Sequence, residues 1–299
     1  MENIKELLEE INSANISESA DATDKVNAVA DGSASDLPVP SHRTVVTIIE
    51  NALAVLFPGY FGSPLYTGEE VLSALDNELR GEVRRALNYS SSTGDSVGDA
   101  AVPDNADDIT EAFMKMLPEV KRLILTDLQA IYDGDPAAKS KLEIALAYPG
   151  FYAIAVYRLA HVLHSLHVPY IPRMMTEYAH ERTGVDINPG ATIGEYFCID
   201  HGTGIVIGET AVLGHHVKLY QGVTIGAKSF AKDENGNPVK EGKRHPDIGD
   251  YVIIYANATI LGGDTRIGDY AVIGGNSWIT ESIDDGAKLN GVPKPEGYN

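Results

Sequence analysis

The sequence predicts an α+β chain: an α-helical N-terminal domain followed by a parallel β-helix of hexapeptide repeats. Three observations predict it. Aliphatic residues recur every six positions from Ile187 onward, at Ile187, Ile193 and Ile199, at Ile207, Leu213, Leu219 and Ile225, at Ile248, Ile254 and Ile260, and at Ile267, Ile273 and Ile279. A second apolar column runs two residues earlier, through Ile205, Ala211, Val217, Val223, Val252, Ala258 and Ala271, and glycine often follows the main aliphatic. Upstream of Val185 the period is helical instead. A period of six is neither that of a helix nor the alternation of a strand. It suits stacked coils of three short strands, each strand burying one aliphatic.

Each segment follows from its local chemistry. Residues 1–42 carry nine acidic side chains against Lys5 and Lys25. They read as a polar arm, with Ile4, Leu7, Leu8 and Ile11 at helical spacing and a linker over 31–40. Residues 43–184 form the helical domain. Its first helical stretch, 43–88, is interrupted near Pro58-Gly59 and Gly62-Ser-Pro64, and 89–106 is a loop by composition. The next helix places Ile109, Phe113, Met116, Val120, Leu123 and Ile131 near one face and stops at Asp133-Gly134. Asp135 before Pro136 predicts an N-cap and a new helix start. Pro149-Gly150 opens another helix, and a last one over about 170–183 ends at Gly184. The β-helix spans 185–293, and 294–299 form a short tail. Two interruptions mark the β-helix: a phase slip of two residues in Asp200-His-Gly-Thr-Gly204, and an inserted loop over 227–247. Insertions in solenoids project from one face and are often functional.

Composition excludes several classes. The 299-residue chain has 23 Lys and Arg against 43 Asp and Glu, a formal charge of −20, which argues against nucleic acid and anionic membranes as partners. Its one cysteine, Cys198, excludes an intrachain disulfide and Cys-rich zinc sites. No apolar run is long enough to span a membrane and no secretory signal opens the chain, so a cytoplasmic location is expected. His161, His164 and His167, and His215-His216, are read as structural, with no metal expected. The run Gly202 to Gly208 lacks the spacing and the βαβ setting of a dinucleotide fingerprint.

The motifs resemble those of the bacterial serine O-acetyltransferases, within the hexapeptide-repeat acyltransferase superfamily. Asp-Gly-Asp-Pro-Ala-Ala (133–138), Val-Asp-Ile-Asn-Pro-Gly-Ala-Thr-Ile-Gly (185–194), Asp-His-Gly-Thr-Gly-Ile-Val-Ile-Gly-Glu-Thr-Ala-Val (200–212), Lys-Arg-His-Pro-Asp-Ile (243–248) and Gly-Val-Pro (291–293) carry the likeness, which covers about residues 110–293. The resemblance implies a left-handed β-helix and transfer of acetyl from acetyl-CoA to the hydroxyl of L-serine. The products are O-acetylserine and CoA, a step of cysteine biosynthesis. Acetyl-CoA is then a co-substrate, and no cofactor is permanently bound.

A serine hydroxyl is a weak nucleophile at neutral pH and needs a general base. His201 is the candidate, since imidazole titrates near neutrality. By the resemblance its partner is Asp186, fifteen residues away and a little under one coil of eighteen. Arg244 can bind the substrate carboxylate as a planar fork, His245 can add a donor, and Asp135 and Asp200 can hold the ammonium group. The resemblance also places the acetyl-CoA chain against backbone near Ala227, Ala256 and Gly275, in a groove between neighbouring β-helices. A homotrimer or a dimer of trimers is expected. The tail ending at Asn299 is shorter than that of relatives that bind O-acetylserine sulfhydrylase, so no such complex is expected. Inhibition by cysteine is a hypothesis on the same footing. Other readings are a hexapeptide acetyltransferase for a sugar or other small acceptor, a γ-type carbonic anhydrase and a non-catalytic scaffold. Asp135, Arg244 and His245 favour a zwitterionic acceptor over a sugar, because a zwitterion needs paired charges.

Overall fold

A computed structural model describes residues 39–62, 65–93, 105–229, 236 and 242–290. Of the arm expected over 1–42 only 39–42 are described, and a helix already opens at His42; the tail over 294–299 lies outside the described residues, as do Gly291-Val-Pro293 and most of the inserted loop.

Among the described residues six helices come first: α1 His42–Leu56, α2 Gly68–Thr93, α3 Ala106–Gly134, α4 Lys141–Ala147, α5 Pro149–Ser165 and α6 Ile171–Thr183. Helix α1 starts on the Ser41 hydroxyl, which accepts from Thr44 N–H, and buries Val45, Ile48, Ile49, Ala52, Leu53 and Leu56 at the spacing of one helix face. At the start of α2, Thr67 and Glu70 cap each other reciprocally. Helix α3 is capped by Asn105, and its inward face runs through Ile109, Phe113, Leu117, Val120, Ile124, Leu128 and Ile131. Met116, expected on that face, is exposed. Helix α5 is buried nearly all round, so it is the centre of the helical core. No helix starts at Pro136. Asp135 closes α3, and α4 begins only at Lys141, on a Ser140 cap with Glu143 reaching back to Lys139 N–H. Among the described residues no helix is long and apolar enough to cross a membrane.

From Val185 the described residues wind through fourteen short strands, β1 Val185–Ile187 to β14 Lys288–Leu289, in three parallel sheets of about five coils. The first sheet has the order β1-β4-β7-β10-β13, the second β11-β8-β5-β2 and the third β14-β12-β9-β6-β3. Strand β3 is Cys198–Asp200, β4 Ile205–Ile207, β6 Lys218–Tyr220 and β7 Thr224–Gly226. Ile187, Ile207, Ile225, Ile260 and Ile279 stack inside the first sheet, one per coil. The register explains the phase slip. Asp186 pairs with Val206 and Asp200 with Tyr220, twenty residues on, because the slip at 200–204 adds two residues to a coil of eighteen. Val206 pairs with Thr224, eighteen residues on, where nothing intervenes.

The helices dock on the first coil through a buried ion pair. Arg158 on α5 donates from Nε and Nη2 to Asp127 on α3 at 2.9 and 3.0 Å. It also donates to the Ile193 and Gly194 carbonyls, at 2.6 Å each. Asp127 accepts from Phe197 N–H at 2.9 Å. At the corner between the second and third sheets, Tyr196, His216, Tyr251 and Tyr270 stack ring on ring. Their centroids are 4.3, 4.5 and 4.9 Å apart and their planes within 7°. All four adopt φ between 57° and 61°, where bulky residues are uncommon.

Candidate active site

The sequence-predicted residues fall at the two edges of the first sheet. One edge is the corner between β3 and β4. His201 turns it with φ 60°, and Gly202 follows at φ 100°. A Cβ at Gly202 would stand 2.9 Å from Ile199 and 3.0 Å from Val185, so the turn requires glycine on both counts. The His201 ring is exposed, with Nε2 3.8 Å from Asp200 Oδ1. Asp200 is half-buried, and its Oδ2 lies 3.1 Å from the Lys218 ammonium. The same ammonium donates to the Gly134 carbonyl at 2.6 Å, at the end of α3. Asp135 comes next. Tyr148 donates its hydroxyl to Asp135 Oδ2 at 2.7 Å, and Ala137 N–H donates to Oδ1 at 2.8 Å. These bonds, Tyr148 first, hold the Asp135 carboxyl below the usual range, and the charges of Lys218 and His201 add to the effect. The same bond pushes the Tyr148 hydroxyl up to about 12. Beneath this corner Cys198 is buried, and desolvation pushes its thiol up to about 12.

The other edge is the corner after β4. Thr210 organises it. Its hydroxyl oxygen accepts from the backbone N–H of Arg244 at 2.9 Å and of His245 at 3.1 Å, which folds the end of the inserted loop back onto the coil. Thr210 N–H donates to His245 Nδ1 at 3.1 Å. The neutral ring therefore keeps its proton on Nε2, and presents a donor. His245 is 8% exposed, and burial first, then the Arg244 charge, pushes it down to about 4. It packs flat against Gly208, where a Cβ would meet the ring at 2.0 Å. The Arg244 guanidinium pairs with Glu209.

Asp186 lies on β1 between the two edges. Arg173 on α6 donates to its Oδ1 at 3.1 Å and also pairs with Glu177. Glu177, His180 and Asp186 could gather round a cation, but the Arg173 guanidinium already serves both carboxylates. Asp186 and His201 make no hydrogen bond or ion pair with each other among the described residues. The expected approach on neighbouring coils assumed eighteen residues per coil, and this coil has twenty. Ala256 and Gly275 stack on the His201 side of the sheet, where a Cβ at Gly275 would stand 3.0 Å from the Ala256 carbonyl oxygen. Ala227 follows β7 at the opposite edge.

Within one protomer the structure thus joins Asp135, Asp200 and His201, and separately joins Arg244 and His245. The turn 201–204 and the three residues of β4, at about 3.3 Å each, separate the two edges by about 10 Å or more. Sequence reasoning missed Lys218 and Tyr148. It quoted Glu209 and Thr210 within a motif but gave them no role.

Comparison with known proteins points to a family. Residues 85–156 match the family model described as serine acetyltransferase, N-terminal. A plasmid serine acetyltransferase of Synechococcus elongatus is 45% identical over 263 residues, 85% of this chain and 82% of that protein. The serine acetyltransferase of Bacillus subtilis is 38% identical over 172 residues, 58% of this chain and 75% of that one. Among solved structures, Entamoeba histolytica serine acetyltransferase 1 in complex with L-cysteine superposes with a TM-score of 0.70 at 37% identity, over 81% of this chain and 86% of that chain. The Neisseria gonorrhoeae enzyme in complex with serine gives 0.55 at 29% identity, over 84% of this chain and 96% of that one. Helical core, parallel solenoid and extended sequence identity point to one relationship, and the chain belongs to the serine acetyltransferase family.

Proposed function

We propose that the chain transfers acetyl from acetyl-CoA to L-serine with His201 as general base, in a site shared by two copies of the chain. One observation carries the reading: the acidic residues with His201 line one edge of the first sheet, and the groups suited to a carboxylate line the other. A zwitterion of serine's size cannot reach both within a protomer. The edges of two neighbouring solenoids, brought together in a homotrimer or a dimer of trimers, supply both ends.

Asp135 and Asp200 take the ammonium. Arg244 takes the carboxylate, exchanging Glu209 for the substrate, and His245 Nε2–H adds a donor. His201 accepts the hydroxyl proton as serine Oγ attacks the thioester carbonyl. The C–O bond forms, the C–S bond breaks, and the imidazolium returns its proton to the CoA thiolate. Asp186 orients and stabilises the imidazolium once substrate has drawn it from Arg173. The thioester chain runs between solenoids, its amides on backbone near Ala227 of one copy and Ala256 and Gly275 of the next. Buried Cys198, its thiol kept protonated, takes no covalent part. A cytoplasmic setting, which supplies acetyl-CoA, fits the reaction. Cysteine shares serine's two charged groups, so it competes for the same site.

The test follows thiol release from acetyl-CoA with L-serine, L-homoserine, L-threonine, a hexose or no acceptor, for wild type and His201→Ala. Serine-dependent release is expected to fall about 10²- to 10⁴-fold in the variant, the usual worth of a general base. Release with the hexose and not with serine would overturn the assignment of Asp135, Asp200, Arg244 and His245.

A further inference from the structure

The corner at His201 holds a charged residue to which acetyl transfer gives no task. Lys218 stands on β6, one coil beyond Cys198. Its side chain is 15% exposed and its ammonium is enclosed. It meets the Gly134 carbonyl at 2.6 Å, Asp200 Oδ2 at 3.1 Å and the Tyr220 ring, 4.5 Å from the centroid. Burial works against this charge, but Tyr220 and Asp200 outweigh it, and the ammonium is held above its ordinary range.

Two consequences follow from the contacts. Gly134 directly precedes Asp135, so one cation grips both segments that bear the acidic residues of the corner. It also engages one oxygen of Asp200 and leaves the other, Oδ1, facing His201. Charge points the same way. Asp135 and Asp200 alone would carry two negative charges in a small volume, and like charges so placed drive one group to take up a proton. With Lys218 the three residues carry a net charge of −1, the complement of one ammonium group.

We propose that Lys218 is a positioning residue of the amino-acid site: it pins Asp200 and the chain before Asp135 so that the two carboxylates close on a single ammonium group. The assignment rests on the reading of Asp135 and Asp200 given above. It concerns acceptor binding, not the acetyl donor and not the proton transfer.

The test uses the full chain and steady-state kinetics of thiol release, varying L-serine and acetyl-CoA in turn. Wild type with L-serine is measured first. Without serine-dependent release the functional reading falls, and this assignment with it. With release, Lys218→Met, Lys218→Gln and Lys218→Arg decide the assignment alone. Met and Gln are expected to raise the serine KM about tenfold or more, since Asp200 loses its charged partner and is no longer held. The acetyl-CoA KM is expected to stay within twofold. Arg, which keeps the cation, is expected to hold the serine KM within threefold of wild type. If Met does not fold, Gln and Arg carry the comparison, because Gln keeps a donor for the Gly134 carbonyl without the charge. A wild-type serine KM in Lys218→Gln would overturn the proposal. So would an equal rise in both KM values, which marks general disruption, or a rise with Arg as large as with Gln.

Discussion

His245 stays neutral in the folded chain well below the pH at which a free imidazole charges, since burial and the Arg244 cation hold it down to about 4. Unfolding releases it to about 6.5. Between these values the unfolded chain binds the extra proton, so stability rises with pH across that window. The contribution is complete above about pH 6.5 and is lost as the pH falls toward 4. His161 and His164 shift the same way, each chiefly by burial, and steepen the trend. The melting midpoint is therefore expected to fall from pH 6.5 to 4.5, and the fall is expected to be shallower in His245→Gln. Equal slopes in the two proteins would show that His245 is not a source of the acid lability. His245 could be picked as a candidate donor from its residue type next to Arg244. Its tautomer could not be read, because that depends on Thr210, thirty-five positions away and brought near only by the fold.

Among the elements, helix α5 ties the helical core to the solenoid, and Arg158 is its principal tie. The guanidinium meets Asp127 and two backbone carbonyls at 5% exposure. Removing one partner of such a pair leaves a buried charge uncompensated and costs about 3–5 kcal/mol. Arg158→Met is expected to lower the unfolding free energy by that much in denaturant titration. A change under about 1 kcal/mol would mean that water reaches Asp127 and replaces the lost partner. The sequence showed where most helices stop and start, through Gly134, Pro149 and Gly184. It misled at Asp135, whose carboxylate turns to Ala137 N–H and the Tyr148 hydroxyl instead of capping a helix. The correct signal was Ser140 with Glu143 three residues later, a pattern like a capping box that lies five residues further on. Lys218 was illegible for another reason. It alternates with inward Leu219 on a short strand, where an exposed lysine is the ordinary expectation, and only the end of α3 laid over that strand encloses it.

At the scale of the whole molecule, the solenoid was readable because each coil buries one aliphatic per side, so a three-dimensional stack leaves a one-dimensional period. The phase slip at 200–204 was readable for the same reason, and it marks where His201 leaves the regular coil. The proposed sharing of one site by two solenoid edges could not be read from spacing, since a period describes a single chain. The column of Tyr196, His216, Tyr251 and Tyr270 adds an optical property to this stack. Three tyrosine rings and the His216 ring, fixed in one chiral array at 4.3–4.9 Å, contribute a near-ultraviolet circular dichroism signal that lasts only while the coils keep their register. Nine of the fifteen tyrosines lie before Val185, so the column's share of the band is the difference between wild type and Tyr251→Leu, and following that difference on heating reads the solenoid apart from the far-ultraviolet signal of the helices. Coincident transitions are expected where Arg158 couples them, and in Arg158→Met the helical signal is expected to melt first, with the tyrosine band persisting to higher temperature.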